Sequence, residues 1–447
     1  MWTVAQLGAD LAAGRTSSRE LTEQALSRIA DPAGEGARAF LKVYAESARA
    51  DADYSDRLRM AGVRRSALDG LPVSLKDLFD VAGDVTRAGS KIFEGNLPAK
   101  TDAPVVARLR AAGAVFVGRT NMVEFAFSGV GLNPHFGTPR NPWDRKIGRV
   151  PGGSTSGGAV AQADGMCVMA LGSDTRGSIR QPAALCGVVG FKPTARRVPR
   201  DGAFPLSYTL DSVGPLANSV ACCAAVDAIL AAEENPALPE IGIKGLRLLL
   251  PRSSALEDLD AEVEKAFFDS IQKLSRAGAA VSEVAVPAFD RQSEYFKGGG
   301  FAGAEAYQIH RPYLARMAEY DPRVAKRVLL GKDMSGADYV EIGRLRATFM
   351  REVGALAAPF DAIVMPTVAC IAPAIADTDR SDDEFFRWNA RILRNNGLIN
   401  FLDGCAATLP CHAGGGAPVG LMVCGPAMSD RRILSVSAAI ERALSRD

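Results

Sequence analysis

The stretch CVMALGSDTRGSIRQPAALCG, residues 167–187, predicts a buried strand, then a hydroxyl-rich loop, then the start of a helix. Its opening CVMALG is a short continuous apolar run, which is typical of a strand buried on both faces. The loop that follows offers consecutive backbone N–H groups at residues 175–178, and such a row is able to converge on one anion. A strand that leads through a loop into a helix is the repeating unit of an α/β fold.

The same alternation of apolar runs and helical patterns extends along the chain. Further buried strands are predicted at LPVSL (71–75), AVFVG (114–118), LRLLLP (246–251) and AIVMP (362–366). Helices are predicted at APVVARLRAAG (103–113), AEVEKAFFDSIQKLSRAG (261–278) and DRRILSVSAAIERAL (430–444). We therefore expect an α/β fold whose core is a large mixed, mostly parallel sheet covered by helices on both sides.

The N-terminal residues predict a helical hairpin. Ser17 and Glu20 have the spacing of a capping box that opens an amphipathic helix. Asp10 interrupts the apolar region that a signal peptide needs, so we expect structure here and not a targeting segment.

Composition excludes several classes of partner. The 447 residues are 47% hydrophobic, and 52 Lys and Arg nearly balance 51 Asp and Glu. Without a basic excess the chain has no field that neutralises phosphates, so we expect neither nucleic acid nor a membrane surface as partner. The most apolar late segment, AIVMPTVACIAPAIA, contains Pro366 and Pro373 and is shorter than the roughly 20 residues that a membrane-spanning helix needs.

The eight cysteines form no CxxC pair and no Cys/His cluster at metal-binding spacing. Most of them lie in apolar surroundings, which favours reduced thiols and therefore a cytoplasmic location. We expect no metal site.

Histidine is scarce, which limits the chemistry that the chain can support. We expect ordinary structural roles for His135, His310 and His412, because none lies at HExxH or similar spacing. No GxSxG turn follows a strand. The loop GGSTSGG, residues 152–158, matches neither a Walker A nor a dinucleotide-binding pattern. Alone, it fits equally a tight turn that caps a helix and a seat for a catalytic hydroxyl.

Lys76 ends the apolar strand predicted in GLPVSLKD. If this lysine is buried with few counter-charges, its pKa falls from about 10.4 toward roughly 7–8, which requires about 4 kcal/mol of differential interaction. Strand alternation directs the adjacent Asp77 to the opposite face. Taken by itself, Lys76 is equally typical of a surface lysine at the end of a strand.

Taken together, GLPVSLKD, PGGSTSGG and GSDTRGSIRQPA resemble, in this order, the three motifs of the amidase signature family. CGVVGFKPT (186–194) and LDSVGPLA (210–217) follow as they do in that family. The resemblance is close over residues 68–220 and looser in FDAIVMPT and APVGLMVCG.

The resemblance implies a single amidase domain over residues 1–447. Within it, a helical segment of residues 1–67 packs on a core of residues 68–220 that carries the catalytic groups. The segment AAEENPALPEIG, residues 231–242, is predicted to be a surface connection. Composition leaves open whether that connection is a loop or a domain boundary.

The family's catalytic triad falls on Lys76, Ser154 and Ser178, with a cis peptide bond between Gly153 and Ser154. By resemblance, neutral Lys76 draws a proton through Ser154 from Ser178, which attacks an acyl carbon and forms an acyl-enzyme without any cofactor. The backbone N–H groups expected to hold the oxyanion are those of Thr175, Arg176, Gly177 and Ser178. Thr155 and Ser156 are expected to orient their loop by backbone hydrogen bonds, and Asp174 and Arg180 are expected to brace the loop of Ser178.

The resemblance also places a substrate pocket near the nucleophile. Its expected residues are Met122, Phe125, Ser128, Gly129, Val130, Gly131, Arg176, Ile399 and Phe401. Arg176 departs from the family, which usually has glycine there, and three interpretations stay open. A positive φ would disfavour arginine, an inward guanidinium would hold a carboxylate or carbonyl, and an outward side chain would leave substrate untouched.

The resemblance therefore implies an amidohydrolase that cleaves a C–N acyl bond in a small-molecule amide, carbamate or carboxylated urea. We expect a monomer or homodimer. One alternative is the glutaminase component of a tRNA-dependent amidotransferase, which passes ammonia to a partner. Another is a non-catalytic binding relative that uses the same pocket.

Overall fold

The computed structural model describes residues 2–234 and 237–445, and within these ranges 11 strands form one sheet. The strands are β1 Phe40–Val43, β2 Pro72–Lys76, β3 Val115–Thr120, β4 Met169–Asp174, β5 Val189–Lys192, β6 Ser212–Ala217, β7 Arg247–Arg252, β8 Ala280–Ala285, β9 Ala362–Pro366, β10 Cys405–Pro410 and β11 Gly420–Gly425. Their order across the sheet is β1-β3-β2-β4-β6-β5-β10-β11-β9-β7-β8. The five predicted strands are confirmed as β2, β3, β4, β7 and β9.

The sheet is large and mixed, as predicted, but parallel pairing is in the minority. The parallel pairs are β2–β3, β2–β4, β7–β8 and β7–β9. The antiparallel pairs are β1–β3, β4–β6, β5–β6, β5–β10, β10–β11 and β9–β11. Antiparallel pairing dominates the centre because no helix intervenes between β5 and β6 or between β10 and β11 in the described chain, and a parallel crossover needs one.

Helices surround the sheet. The α-helices are α1 Val4–Ala12, α2 Ser18–Ala30, α3 Gly36–Ala39, α4 Ala45–Met60, α5 Pro104–Ala111, α6 Ser156–Ala163, α7 Arg180–Cys186, α8 Val220–Ala231, α9 Ala261–Arg276, α10 Gln292–Tyr295, α11 Gly300–His310, α12 Pro322–Leu329, α13 Gly336–Ala357, α14 Ile375–Asp379, α15 Asp382–Phe401 and α16 Asp430–Leu444. Short 3-10 helices span Lys91–Phe93, Glu124–Ala126, Ser254–Leu256, Pro287–Asp290, Lys297–Gly299 and Arg311–Glu319. The three predicted helices are confirmed as α5, α9 and α16.

Both faces of the sheet are covered, and strand β4 shows why. Successive side chains of a strand point to opposite faces. Met169 and Leu171 pack into the apolar cluster that contains residues of α5 and α8, whereas Ala170 packs into the cluster that contains residues of α2, α6 and α7. The near-continuous apolar run that predicts this strand therefore follows from burial on both sides.

The N-terminal residues form α1 to α4 together with one strand that the helical pattern does not predict. The predicted capping box opens α2, where Ser17 Oγ accepts from Glu20 N at 3.0 Å and Glu20 Oε2 accepts from Ser17 N at 3.0 Å. Strand β1 joins the edge of the sheet by antiparallel pairing with β3.

The predicted surface connection, residues 231–242, begins at the end of α8. Residues 235 and 236 within it, like residues 1, 446 and 447, lie outside the described ranges. The expected division of the chain into segments stays a prediction. None of the helices in the described ranges combines the length and the apolar character needed to cross a membrane.

Candidate active site

Lys76 is the last residue of β2, and its side chain is fully buried. Its Nζ atom donates hydrogen bonds to Ser154 Oγ at 2.7 Å and to Ser173 Oγ at 2.9 Å. Burial lowers the pKa of Lys76 to about 7, against the opposing effect of the Asp174 and Asp211 carboxylates. Lys76 is therefore an amine that exchanges a proton near neutral pH, and not a surface lysine.

The carboxylate next to Lys76 in sequence points elsewhere, as strand alternation predicts. Asp77 Oδ1 accepts from Arg119 Nε at 2.8 Å, and Asp77 Oδ2 accepts from Gly89 N at 3.0 Å. Arg119 and Asp77 are both fully buried, so their ion pair is sealed from solvent. Asp77 is thus neutralised by its own partner, and Lys76 has no carboxylate in hydrogen-bond contact within the described ranges.

The loop GGSTSGG holds Ser154 beside this amine. The peptide bond between Gly153 and Ser154 is cis. Gly153 N donates to Gly129 O at 2.8 Å, and Gln181 Nε2 donates to Gly153 O. Both polar groups of Gly153 are therefore fixed by neighbouring segments, which sets the direction in which Ser154 leaves the loop.

Ser178 lies in the neighbouring loop between β4 and α7 and is 4% exposed. Thr155 N donates to Ser178 O at 3.3 Å, which joins the two loops. Within the described ranges, no hydrogen bond links the hydroxyls of Ser154 and Ser178. The structure therefore forms the contact between Lys76 and Ser154, and leaves the second link of the predicted relay unformed.

One of the four N–H groups expected to hold the oxyanion is already engaged. Gly177 has a φ of 115°, and its N–H donates to Asp174 Oδ1 at 2.7 Å. This bond directs the Gly177 N–H toward a buried carboxylate, so it corrects the expectation for that group. In the part of the chain that the structure describes, the N–H groups of Thr175, Arg176 and Ser178 have no acceptor, which leaves them free for a ligand.

The buried Asp174 carboxylate holds the loop in place through several hydrogen bonds. It accepts from Ile179 N at 3.2 Å, from Arg180 Nε at 3.0 Å and from Asn400 Nδ2 at 2.9 Å. Asp174 and Arg180 are fully buried, and the guanidinium keeps the pKa of the Asp174 carboxyl well below its ordinary value despite that burial. One carboxylate thus fixes the turn that carries the nucleophile candidate.

The two hydroxyls that follow Ser154 make few contacts. Thr155 Oγ1 lies 3.5 Å from Ser173 O, the limit of a hydrogen bond. Ser156 Oγ is buried and has no hydrogen-bond partner among the described residues. The Ser156 hydroxyl therefore does not orient the loop, whereas the backbone of Thr155 does so through its hydrogen bond to Ser178 O.

Five of the residues predicted to line the pocket pack into the apolar core. They are Met122, Phe125, Val130, Ile399 and Phe401, each at most 1% exposed. The Phe125 ring lies 4.5 Å from the ring of His310, and the Phe401 ring lies 4.7 Å from that of Tyr295, centroid to centroid. These surroundings are aromatic core, which differs from the expected pocket lining.

The three small residues between them support the loops. Ser128 Oγ and Gly129 N both donate to Asn389 Oδ1, at 3.2 and 2.8 Å. Gly131 has a φ of 102°, and a Cβ atom there would lie 2.5 Å from Gly152 O. Only glycine allows this close approach, so Gly131 fixes the position of the GGSTSGG loop.

Two cavities flank the loop between β4 and α7 that carries the nucleophile candidate Ser178, which we call the nucleophile loop. The Asp211 cavity, of about 450 Å³, is lined by residues that include Ser173, Thr175, Phe204 and Asp211. The Arg176 cavity, of about 740 Å³, is lined by residues that include Arg176, Phe296, Arg327, Asn389 and Arg391. Thr175 and Arg176 are adjacent in the loop, so it separates one cavity from the other.

The structure excludes two of the three interpretations of Arg176, the positive φ and the outward side chain. Its φ is not positive, so the backbone does not disfavour arginine. Its guanidinium lies 3.7 Å from the centroid of the Phe296 ring, and its Nε atom is sealed from solvent without a partner in the described ranges. The side chain therefore points into the Arg176 cavity and not outward.

Several residues of the site carry no strong signal in the sequence. Ser173 directly precedes Asp174 in the motif GSDTRGSIRQPA, and its position in that motif is the one feature of the sequence that could have indicated its contact with Lys76. Asp211, whose Oδ1 accepts from Thr175 Oγ1 at 2.5 Å, lies within the quoted LDSVGPLA. Phe296 and Arg327 come from the second half of the chain, where no pattern marks them.

The histidines lie apart from this site. His135 is bonded to Glu124 at 2.8 Å, His310 to the Tyr320 hydroxyl at 2.8 Å, and His412 Nδ1 accepts from Val419 N at 3.3 Å. Over residues 2–234 and 237–445, no group of three or more His, Cys, Asp or Glu side chains is arranged to hold a metal ion.

Comparisons with known proteins find relatives along most of the chain. A family model described as Amidase matches residues 20–434. The chain is 36% identical over 404 residues to 2-amino-5-chloromuconic acid deaminase of Comamonas testosteroni, covering 88% of this chain and 86% of that protein. It is 35% identical over 486 residues to a glutamyl-tRNA(Gln) amidotransferase subunit from Anaeromyxobacter dehalogenans, covering 98% and 95%. A crystal structure of an amidase superposes with a TM-score of 0.88 at 32% identity, covering 99% of each chain.

Proposed function

Because the chain belongs to the amidase family of hydrolases that act on carbon–nitrogen bonds, we propose that it cleaves an amide-type acyl bond through Lys76, Ser154 and Ser178. The observation that carries the proposal is the 2.7 Å contact between Lys76 Nζ and Ser154 Oγ in a fully buried setting. A buried amine with a pKa of about 7 is neutral often enough at physiological pH to act as a base.

The chemistry proceeds through an acyl-enzyme. Ser178 Oγ bonds to the substrate carbonyl carbon while its proton passes to Ser154, whose own proton passes to the Lys76 amine. The carbonyl electrons move to oxygen, and their return breaks the C–N bond. The relay returns the proton to the leaving nitrogen, and water then hydrolyses the ester with the same groups in reverse order. The substrate completes the alignment of Ser154 with Ser178, because catalytic hydrogen bonds often tighten only when substrate binds.

The developing oxyanion is held by the backbone N–H groups of Thr175, Arg176 and Ser178. Their lack of other acceptors in the described ranges supports this role, and Gly177 is not included because its N–H donates to Asp174. Each donor of this kind contributes about 10²–10³-fold to the rate. Asp174 and Arg180 hold the turn so that these donors need no reorganisation during the reaction.

The substrate we propose is a small-molecule amide, carbamate or carboxylated urea, hydrolysed by a monomer or homodimer without nucleic acid or membrane. The near-neutral charge supports the absence of a polyanionic partner. We also propose a cytoplasmic location, which the eight free cysteines support, since a reducing compartment keeps thiols unpaired.

A second candidate function is that of a glutaminase component in a tRNA-dependent amidotransferase, because one relative of almost full length bears the name of such an assembly. That function would require glutamine as the preferred amide and a partner that receives ammonia. A purified chain that hydrolyses simple amides with no preference for glutamine would contradict it. A chain inactive on all amides that gained glutaminase activity on adding partner subunits would support it.

The experiment is a screen of amides, carbamates and urea derivatives with Ser178→Ala as the blank. Ser156→Ala is the matched control, because the Ser156 hydroxyl lies in the GGSTSGG loop beside Ser154, is buried, and has no partner in the described ranges. We expect Ser178→Ala to lose turnover and Ser156→Ala to keep most of it. Equal loss in both variants would contradict the assignment, and a wild-type chain without any turnover would favour a non-catalytic binding relative.

A further inference from the structure

Two guanidinium groups in the lining of the Arg176 cavity lie near enough to each other for their charges to interact. They belong to Arg176, in the nucleophile loop, and to Arg327, in α12. Neither forms an ion pair or a side-chain hydrogen bond within the described ranges, and the Nε atom of each is sealed from solvent without a partner. The charge of Arg327 adds to burial in lowering the pKa of Arg176 to about 9, so both groups stay protonated at neutral pH.

What holds the two groups in place is aromatic. Arg176 lies 3.7 Å from the centroid of the Phe296 ring, and Arg327 lies 4.5 Å from that of Phe127. A cation over an aromatic ring is attracted to it, but the ring leaves the N–H donors of the guanidinium unsatisfied. Two like charges held close together without a counter-charge repel each other, so binding of an anion between them is favourable.

The other cationic groups of this cavity have partners in the described ranges, and Arg394 among them donates to the carbonyl oxygen of Glu257. Arg391 pairs with Asp260 at 2.9 Å, and Arg387 pairs with Glu384 at 2.6 Å. The acidic side chains in the lining, Asp258 and Asp290, belong to solvent-exposed residues. Arg176 and Arg327 are therefore the cations of this lining without a hydrogen-bond partner in the described ranges, and the acids of the lining are exposed.

We propose that Arg176 and Arg327 bind a carboxylate of the substrate, so that this chain hydrolyses amide-type molecules that carry a carboxylate group. The proposal rests on the proposed hydrolytic function. Guanidinium groups bind carboxylates through paired N–H···O bonds, and an anion between the two arginines satisfies donors that are otherwise empty. Arg176 precedes Ser178 by two residues, so their Cα atoms lie at most about 7 Å apart, and both residues belong to the same loop.

The test compares monoamides of dicarboxylic acids with the corresponding diamides, for example succinamate with succinamide and glutaramate with glutaramide. Each pair has the same length, and only the carboxylate differs. We expect kcat/KM of the wild type to favour the best monoamide over its diamide by about 10- to 100-fold. Arg176→Met and Arg327→Met should each bring the ratio of kcat/KM on the monoamide to kcat/KM on the diamide down to about 1.

Arg387→Met is the matched control, since it removes a guanidinium of the same cavity that is already paired with Glu384. Succinate provides a readout that needs no turnover: it should raise the melting temperature of the wild type and of Arg387→Met, and should leave that of Arg176→Met unchanged.

The outcomes separate this proposal from the proposed function. Fluorophosphonate labelling of the wild type and of both methionine variants shows that the hydrolytic groups are intact and the variants folded. Normal labelling with no preference for any monoamide, or an equal loss in Arg387→Met, would overturn carboxylate binding alone. Absence of labelling in the wild type would instead overturn the proposed function on which it rests.

Discussion

Lys76 Nζ lies 2.7 Å from Ser154 Oγ, and both side chains are fully sealed from solvent. Strand β2 lies between β3 and β4, and all five of its residues are buried, including Lys76 at its end. The two hydrogen bonds to Gly153 fix the loop that holds the serine beside the amine. The pKa of Lys76 follows from this burial, and so does the pH dependence of the reaction.

The first prediction concerns that pH dependence. In the proposed mechanism the base is the neutral Lys76 amine, and burial lowers the pKa of Lys76 to about 7, so kcat/KM should fall about tenfold per pH unit below 7 and level off above it. A pH–rate profile from about pH 5 to 9 measures this limb. A rate that is flat across the range, or that falls as the pH rises through 7, would show that Lys76 is not the base.

Asp211 provides a second test of the same assignment. Its charge raises the pKa of Lys76, and it lies in the wall of the Asp211 cavity. Asp211→Asn should therefore move the acidic limb of the profile to lower pH, because the protonated amine loses a favourable neighbour. An unchanged limb in a folded variant would mean that the titrating group is not Lys76.

Breaking the buried ion pair below the nucleophile loop should destabilise the protein. Asp174→Asn leaves the fully buried Arg180 guanidinium without its counter-charge, which costs about 3–5 kcal/mol of unfolding free energy. Asp269→Asn is the matched control, because its pair with Lys265 is exposed and is expected to contribute about 0.3–0.5 kcal/mol. Urea titrations of both variants compare the two values, and a loss below about 1 kcal/mol for Asp174→Asn would contradict its role in holding the loop.

Gly177 should tolerate no side chain. Its φ is 115°, and a Cβ atom there would lie 2.5 Å from Asn396 Cβ, so Gly177→Ala should displace the loop and reduce kcat by at least about tenfold. Gly343→Ala is the control, since a Cβ at that position in α13 meets nothing within 4 Å and should stabilise the helix by about 0.5–1 kcal/mol. Full activity of Gly177→Ala would contradict the expected displacement.

Much of the fold was predictable because the buried strands leave continuous apolar runs. Strands β2, β3, β4, β7 and β9 lie within two residues of their predicted limits for that reason. A Gly, a Gly-Pro pair or a Thr interrupts the apolar runs of β5, β6 and β10, and glycines flank the four apolar residues of β11. Missing these strands also led to the expected majority of parallel pairs, since they supply most of the antiparallel ones.

The candidate site divides in the same way. Lys76, Ser154 and Ser178 are marked by motifs of fixed spacing, and the resemblance to the amidase family is confirmed. The conformation around Gly177 was not predictable, because the hydrogen bond from its N–H to Asp174 depends on a turn whose type the amino-acid sequence does not specify. Arg327 and Phe296 line the Arg176 cavity but lie far from Arg176 in the sequence. Their contacts arise from tertiary packing, which no local sequence pattern predicts.

The most direct test of the central claim is to locate the covalent adduct. The wild-type chain is treated with a fluorophosphonate, digested, and analysed by mass spectrometry beside Lys76→Met and Ser156→Ala. The account predicts one adduct, on Ser178, formed at nearly the wild-type rate in Ser156→Ala and at least about 100-fold more slowly in Lys76→Met. An adduct on Ser154 or Ser156, or labelling that does not depend on Lys76, would contradict it.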